Sequence, residues 1–397
     1  MSDRAGTFDG VHRRNLAKLL GLVHLEGPMS RARLTAETGL NRSTVATLAS
    51  ELVDLGLVEE RPPDPTNRVG RPSPVIAADP GVVAIAVNPE VDAVTIAAVG
   101  LDGRIPVRER IEVDHLVTPE ETAALVSVAI RRWLGGPLAG GRVVAIGLAV
   151  PGLVRVSDGL VRFAPHLRWR DAPLRTLVET ATGLPVVVGN DATLGVVAEH
   201  LFGAGRGVDD LVYLNGGASG IGGGLVVGGR PVGGAGGYAG EFGQNRPGIA
   251  SADDRRAEGG VLEDEVSRAR LLEVAGLDHA DEPTLAAALV EALASGGAPE
   301  VGAELARQRR ILATALANAI NVLNPSLVVL GGFLATVATV EAGDATALED
   351  AVRAQAMPAA AEAVEVRVAA LGEDRLLIGA AEAAFGALLE DPLGPGD

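Results

Sequence analysis

Apolar residues recur at helical spacing over residues 11–26, where Leu16, Leu19, Leu20 and Val23 share a face. The stretch GPM breaks that period. Ser30 stands where a cap starts a second helix, RARLTAET, which Gly39 ends. Asn41 is placed to cap a third, RSTVATLASELVDL, which Gly56 ends; its Val45, Leu48, Leu52 and Leu55 share one face. LVEERPPDPTNRVGRPSPVIAAD then reads as strand, proline-rich loop and strand. From residue 80 the pattern gives strands VVAIAV and AVTIAAV, turn GLDGR, strand IPVRERIEV, helix TPEETAALVSVAIRRWL and strand RVVAIGLAV. From residue 211 a similar order restarts with LVYL, a glycine-rich turn, GGGLVV, GGR and PV, followed by a long helix around ELARQRRILATALANAINVL and strand SLVVLGG. Each half opens with three strands. The predicted fold is α/β: an N-terminal winged helix-turn-helix, then a duplicated actin-like, ribonuclease-H-like ATPase fold of two lobes around a cleft.

The start of the third helix carries small polar residues and one arginine. That composition suits a helix entering a major groove, where Arg pairs with guanine and Ser or Thr reaches phosphate. The expected DNA contacts are Arg31, Arg33, Asn41, Arg42, Ser43 and Thr47, with Arg68 and Arg71 in the loop of the wing. A plain helical bundle or a protein-docking unit is the alternative for the three helices. Arg68-Val69-Gly70-Arg71-Pro72 reads equally as a minor-groove arm or as a linker.

Charge sharpens this division. The net charge is −17, yet residues 1–72 hold ten basic and nine acidic side chains. An acidic body repels DNA, so DNA contact is expected in the N-terminal segment alone. The absence of cysteine excludes disulfides and thiolate metal sites and points to a cytoplasmic home. No apolar leader core and no run of 18 apolar residues is present, so no membrane association is expected.

Four stretches carry candidate chemistry. GLAVPGLV (147–154) runs a strand into Pro-Gly. TGLPVVVGNDATLGVVAEHLFGAG (182–205) ends a strand in Asn190-Asp191 and starts a helix. A carboxylate there suits a base for a substrate hydroxyl, or simply a helix cap. NGGASGIGGGLVVGGR (215–230) is a hairpin with room for phosphate, and AGEFGQNRPG (239–248) presents Glu241.

In this order SRARLTAETGLNRSTV, GRPS, AVPGLV, GNDA, SGIGGG, GEFGQ and NPSLVVLGG resemble the ROK family (repressors, open reading frames and sugar kinases), in its regulator branch. The resemblance implies a winged helix-turn-helix DNA-binding domain over 1–75 and a sugar-kinase-like domain over 76–397. It also implies a sugar pocket lined by Asn190, Asp191, Glu241, Gln244 and Glu263, with Asp191 at the position of the kinase base. Carboxylates and an amide form paired hydrogen bonds to adjacent hydroxyls, which distinguishes sugar epimers.

Three departures from the family pattern change the expected activity. Family kinases carry an Asp-Gly-Gly-Thr-like first phosphate turn; here the turn is Asn88-Pro89-Glu90-Val91, with a donor lost to proline and no glycine. The family pattern has a zinc-binding His and three cysteines; here Gln244 takes the His position and no thiolate exists. The loop that remains is expected to be ordered by ion pairs of Arg255 or Arg256, or to be mobile. Gln244 also alters the sugar pocket. The expected protein is therefore a DNA-binding regulator, a repressor, sensing a sugar or sugar derivative without catalysis. It needs no zinc, ATP or other cofactor, and acts on a DNA operator as a homodimer or homotetramer. An active hexose kinase and a ligand-independent DNA-binding dimer are the alternatives.

Overall fold

The computed structural model describes residues 3–62, 74–217, 220–249, 251–258, 260–295, 298–341 and 343–394. They form two compact units. The first joins residues up to 150 with 158–189 and 380 onward; the second joins 151–157 with 190–379.

The first unit opens with helices α1 (Asp3–Glu26), α2 (Arg31–Thr38) and α3 (Arg42–Asp54). Strands β1 (Met29–Ser30), β2 (Val58–Arg61) and β3 (Val75–Ala78) form an antiparallel sheet in the order β1-β3-β2. The caps are those the sequence predicts. Ser30 accepts from Arg33 N, Asn41 accepts from Thr44 N, and Gly39 takes a left-handed φ of 72°. Helix α1 begins eight residues before the apolar period does, because no proline interrupts that stretch. Its stripe Leu16, Leu19, Leu20 and Val23 is buried, as are Val45, Leu48 and Leu52 of α3.

Helix α1 is bolted to the rest of this unit. His24 is buried; its Nδ1–H donates to Leu101 O at 2.6 Å, and its Nε2 meets Glu382 at 3.1 Å. Arg13 pairs with Asp391 at 2.6 Å. Burial pushes the His24 pKa down, but Glu382 and the Leu101 carbonyl push it up by more, so it lies above its ordinary value.

Strands β4 (Val82–Pro89), β5 (Ala93–Gly100), β6 (Val107–Glu112), β7 (Arg142–Val150) and β11 (Val186–Asn190) make a five-stranded sheet, order β11-β7-β4-β5-β6. Strands β8 (Leu153–Arg155), β9 (Leu160–Ala164) and β10 (Trp169–Ala172) intervene. Every residue of β4 and β5 is buried, as a sheet covered on both faces requires. Helix α4 (Pro119–Leu134) starts on a capping box of Thr118 and Glu121, and α5 (Leu174–Thr182) ends on Gly183. The predicted turn lies further along the chain than the sequence suggests. Asn88 and Pro89 stay in β4, opposite Thr95 and Val94, and the chain turns over Glu90–Asp92. Proline is tolerated as the last residue of the strand, where its fixed φ does no harm.

The second unit holds α6 (Asp191–Phe202) and strands β12 (Leu211–Gly217), β13 (Gly220–Val227), β14 (Arg230–Pro231), β15 (Leu327–Gly332) and β16 (Glu365–Val368), order β14-β13-β12-β15-β16. This order and its strand directions match the first sheet: β12 runs antiparallel to β13 and parallel to β15, as β4 does to β5 and β7. Helices α7 (Leu262–Glu265), α8 (Arg268–Val274), α9 (Glu282–Ser295), α10 (Pro299–Leu323), α11 (Phe333–Thr339), α12 (Thr346–Arg353) and α13 (Pro358–Ala361) complete it. Its core gathers Leu312, Leu316 and Ile320 of α10 with Leu330, Phe333 and Leu334. Helix α14 (Arg375–Glu390) begins in this unit and ends in the first. Among the described residues no helix is long and apolar enough to cross a membrane.

Candidate functional site

The apolar run of β11 ends at Asn190, whose side chain turns the chain into α6. Its Oδ1 accepts from Thr193 N at 2.9 Å and its Nδ2 donates to Gly152 O at 3.0 Å. The motifs AVPGLV and GNDA are thereby tied together. Asn190 is the helix cap, so Asp191 is released from that duty; its carboxylate accepts from the neighbouring Ala192 N at 2.8 Å. Asp191 keeps some exposed surface, yet the surrounding protein desolvates its carboxyl and pushes its pKa up to about 6, against the opposing pull of Arg375.

Glu263 stands on the single turn α7. Its Oε2 accepts from Ile221 N at 3.1 Å and its Oε1 from Gln244 Nε2. Gly243 and Gly220 line its seat: a Cβ on Gly243 would lie 2.7 Å from Glu263 Oε2 and would strike Ile221 O. Glu241 immediately precedes the short 3-10 turn Phe242–Gln244, and its side chain makes no capping bond to that turn. Its pKa is raised, by burial first and then by the charges of Asp191 and Glu263. The fold thus gathers Asp191, Glu241 and Glu263 within one electrostatic neighbourhood, with Gln244 bonded to one of them. Such a group offers many acceptors and few donors, as a polyhydroxyl ligand requires.

Arg375 and Tyr213 escape sequence reading. Arg375 opens α14, far along the chain from GNDA, and tempers the Asp191 carboxyl. Tyr213 lies wholly buried in β12, and burial raises its pKa against the opposing pull of Arg375.

The glycine-rich hairpin has packing reasons for its composition. A Cβ on Gly222 would lie 2.8 Å from Ala192 Cβ, and one on Gly223 would lie 2.6 Å from Gly240 O. Residues 218 and 219 lie outside the described residues. In the first hairpin, Glu90 accepts from Thr95 Oγ1 at 3.2 Å and faces Arg110 at 3.6 Å, so its carboxylate is engaged within the hairpin.

Among the described residues of 251–265, ion pairs hold Asp254 and Glu265, but they do not come from the two arginines the sequence suggests. The Arg256 side chain donates to the carbonyl of Asp253, and it is the Arg256 backbone N–H that reaches Glu265. The ion pairs come from α10, through Arg307 to Glu265 and Arg310 to Asp254. A thiolate zinc centre does not fit here: the chain has no cysteine, and Gln244 and Glu265 are committed to other partners.

At the N-terminal helices Arg42, Ser43 and Thr47 lie exposed at the start of α3. Arg42 has no side-chain partner among the described residues. Asn41 and Ser43 bond to each other at 2.7 Å. Arg31 pairs with Glu60 at 2.8 Å, and Arg33 lies near Glu26 and Glu37. Arg68 and Arg71 lie outside the described residues.

Comparison with known proteins places this geometry. The model of the ROK family matches residues 84–386. The xylose repressor of Caldicellulosiruptor bescii is 28% identical over 320 residues, covering 76% of this chain and 79% of that protein. A glucokinase of Halalkalibacterium halodurans is 31% identical over 258 residues, covering 60% of this chain and 74% of that protein. A solved ROK family transcriptional regulator, a homologue of the E. coli MLC protein, shares the fold with a TM-score of 0.74 at 24% identity, over 96% of this chain and 97% of that one.

Proposed function

This chain belongs to the ROK family, and from that premise we propose that it is a sequence-specific DNA-binding repressor governed by a sugar or sugar derivative. Residues 1–75 act as a winged helix-turn-helix, with the exposed start of α3 as the reading surface. Residues 76–397 act as a sugar-kinase-like sensor of duplicated actin-like fold. The observation that carries the reading is one chain joining exposed Arg42, Ser43 and Thr47 to a gathered Asp191, Glu241 and Glu263. The likeness to a repressor over more than three quarters of this chain supports it.

The carboxylates accept from adjacent sugar hydroxyls, and Asn190 and Gln244 add amide groups. Sugar acts on DNA affinity by binding the DNA-competent and DNA-incompetent conformations unequally. A homodimer supplies two reading heads for two half-sites; a homotetramer supplies two such pairs. Neither ATP nor zinc takes part: Glu90 is spent within its hairpin, and the loop that would carry thiolates is held by arginines.

The test is selection of host genomic fragments by the purified protein, followed by affinity measurement with Arg42→Ala. A loss of about tenfold or more, as expected for one guanine-pairing arginine, supports the reading head; unchanged affinity in a folded variant overturns it. The Asp191 pKa of about 6 favours one second reading, an active sugar kinase, because a base titrating near neutrality suits proton abstraction from a hydroxyl. Sugar-dependent ADP release that disappears in Asp191→Ala decides for it.

A further inference from the structure

One buried cation holds the loop that presents Glu263. Arg307 of α10 is 2% exposed, and all five of its guanidinium N–H groups have acceptors. Nε and Nη2 grip the two Glu304 oxygens at 2.8 and 2.7 Å. Nη1 reaches Glu265 Oε2 at 3.0 Å and Asp254 O at 2.7 Å, and Nη2 reaches Glu265 O at 2.6 Å. Glu265 is fully buried, and its carboxylate also takes the backbone N–H groups of Arg256 and Ala257. The next residue of α10, Gln308, clasps Ser267 through both N–H and C=O. Both ends of the segment 254–267 are therefore pinned to one turn of α10.

Glu263 lies inside that segment, two residues before Glu265 on the same four-residue helix. A helix this short has no stability of its own. Fixing the backbone and side chain of Glu265 therefore fixes where Glu263 stands. A buried network of this kind is a poor source of stability compared with apolar packing, and its value lies in geometry. We propose that Arg307 is a positioning residue for the effector site, its planar guanidinium fixing the segment that carries Glu263. The proposal rests on the reading of Glu263 as a sugar contact.

Lysine keeps the charge but offers three donors from a point, so it does not span these acceptors. The test uses full-length Arg307→Lys in two measurements. In hydrogen exchange, the amides of Arg256, Ala257 and Ser267 are expected to lose protection at least tenfold, while α1–α3 stays as in wild type. In sugar titration from a monosaccharide panel, affinity is expected to fall at least tenfold, with sugar-free operator binding unchanged. The loss is expected to be non-additive with Glu263→Gln, because both changes remove the same contact. Full additivity would make Arg307 a structural brace only and overturn the proposal, as would wild-type sugar affinity in a loop shown to be opened. Unchanged exchange protection would overturn the clamp itself. If wild type binds no sugar of the panel, the sensor reading fails and this proposal with it, while the exchange data report the clamp separately. Glu304→Gln, which removes the negative charge of Arg307's bidentate partner and replaces one of its two acceptor oxygens by an NH2 donor, serves where Arg307→Lys does not fold, with the same directions expected.

Discussion

The proposed sensor site centres on one carboxyl, that of Asp191. Burial raises its pKa from 3.8 to about 6, which corresponds to about 3 kcal/mol of destabilisation when it ionises. Because the folded-state value lies above the unfolded one, the penalty is absent below about pH 4, grows as the pH rises from about 4 to about 6, and is fully present above that. Asp191→Asn is therefore expected to stabilise the protein at about pH 7.5 and to leave it unchanged at about pH 4, as read by denaturant titration at the two pH values. Gly243→Ala tests the seat of Glu263. Its Cβ would collide with Ile221 O and crowd Glu263, and a cost of about 1–3 kcal/mol with weakened sugar binding is expected. At this scale the sequence was legible where motifs are local: Asn190, Asp191, Glu241, Gln244 and Glu263 all sit in short recognisable stretches. Arg307 was hidden inside RQRR, a charge run that ordinarily marks a solvated helix face. Its signal was the spacing of Glu304, Arg307 and Gln308, which places three polar side chains on one helical face.

Helix ends were equally legible, since a cap needs only its own neighbours. Ser30, Gly39 and Asn41 end or begin helices where the sequence puts them. Asn41→Ala is expected to cost about 1 kcal/mol, measured as a lowered unfolding free energy. What joins α1 to α14 was not legible, because His24 and Glu382 stand 358 residues apart. Since the His24 pKa lies above its unfolded value, the pair's stabilisation is fully present below about pH 6.5 and is lost as pH rises through the folded-state value. A pH series of unfolding free energies should therefore fall with rising pH in wild type and be flatter in His24→Gln.

Across the whole chain, the repeated strand order was visible only faintly, as two sets of three strands. The parallel partners β7 and β15 join their sheets through long connections, and nothing local in a sequence announces such pairing. Charge bears on the proposed DNA contact: residues 73–397 hold 24 basic and 42 acidic side chains, and a body of that sign attached to a nearly neutral N-terminal segment would limit phosphate contacts to few positions. DNA affinity should accordingly fall with added salt on a shallow slope, and Arg42→Ala should reduce that slope.

The central claim is that sugar bound at Asp191 changes affinity for DNA. The direct measurement is fluorescence anisotropy of a selected genomic fragment, titrated with protein in the presence of each sugar of a monosaccharide, amino-sugar and sugar-phosphate panel, for wild type and Asp191→Asn. The account predicts that one sugar class shifts wild-type affinity at least fivefold, within the usual range of coupling between sites, and leaves Asp191→Asn unmoved. An affinity that no sugar alters, or an equal shift in both proteins, would contradict it.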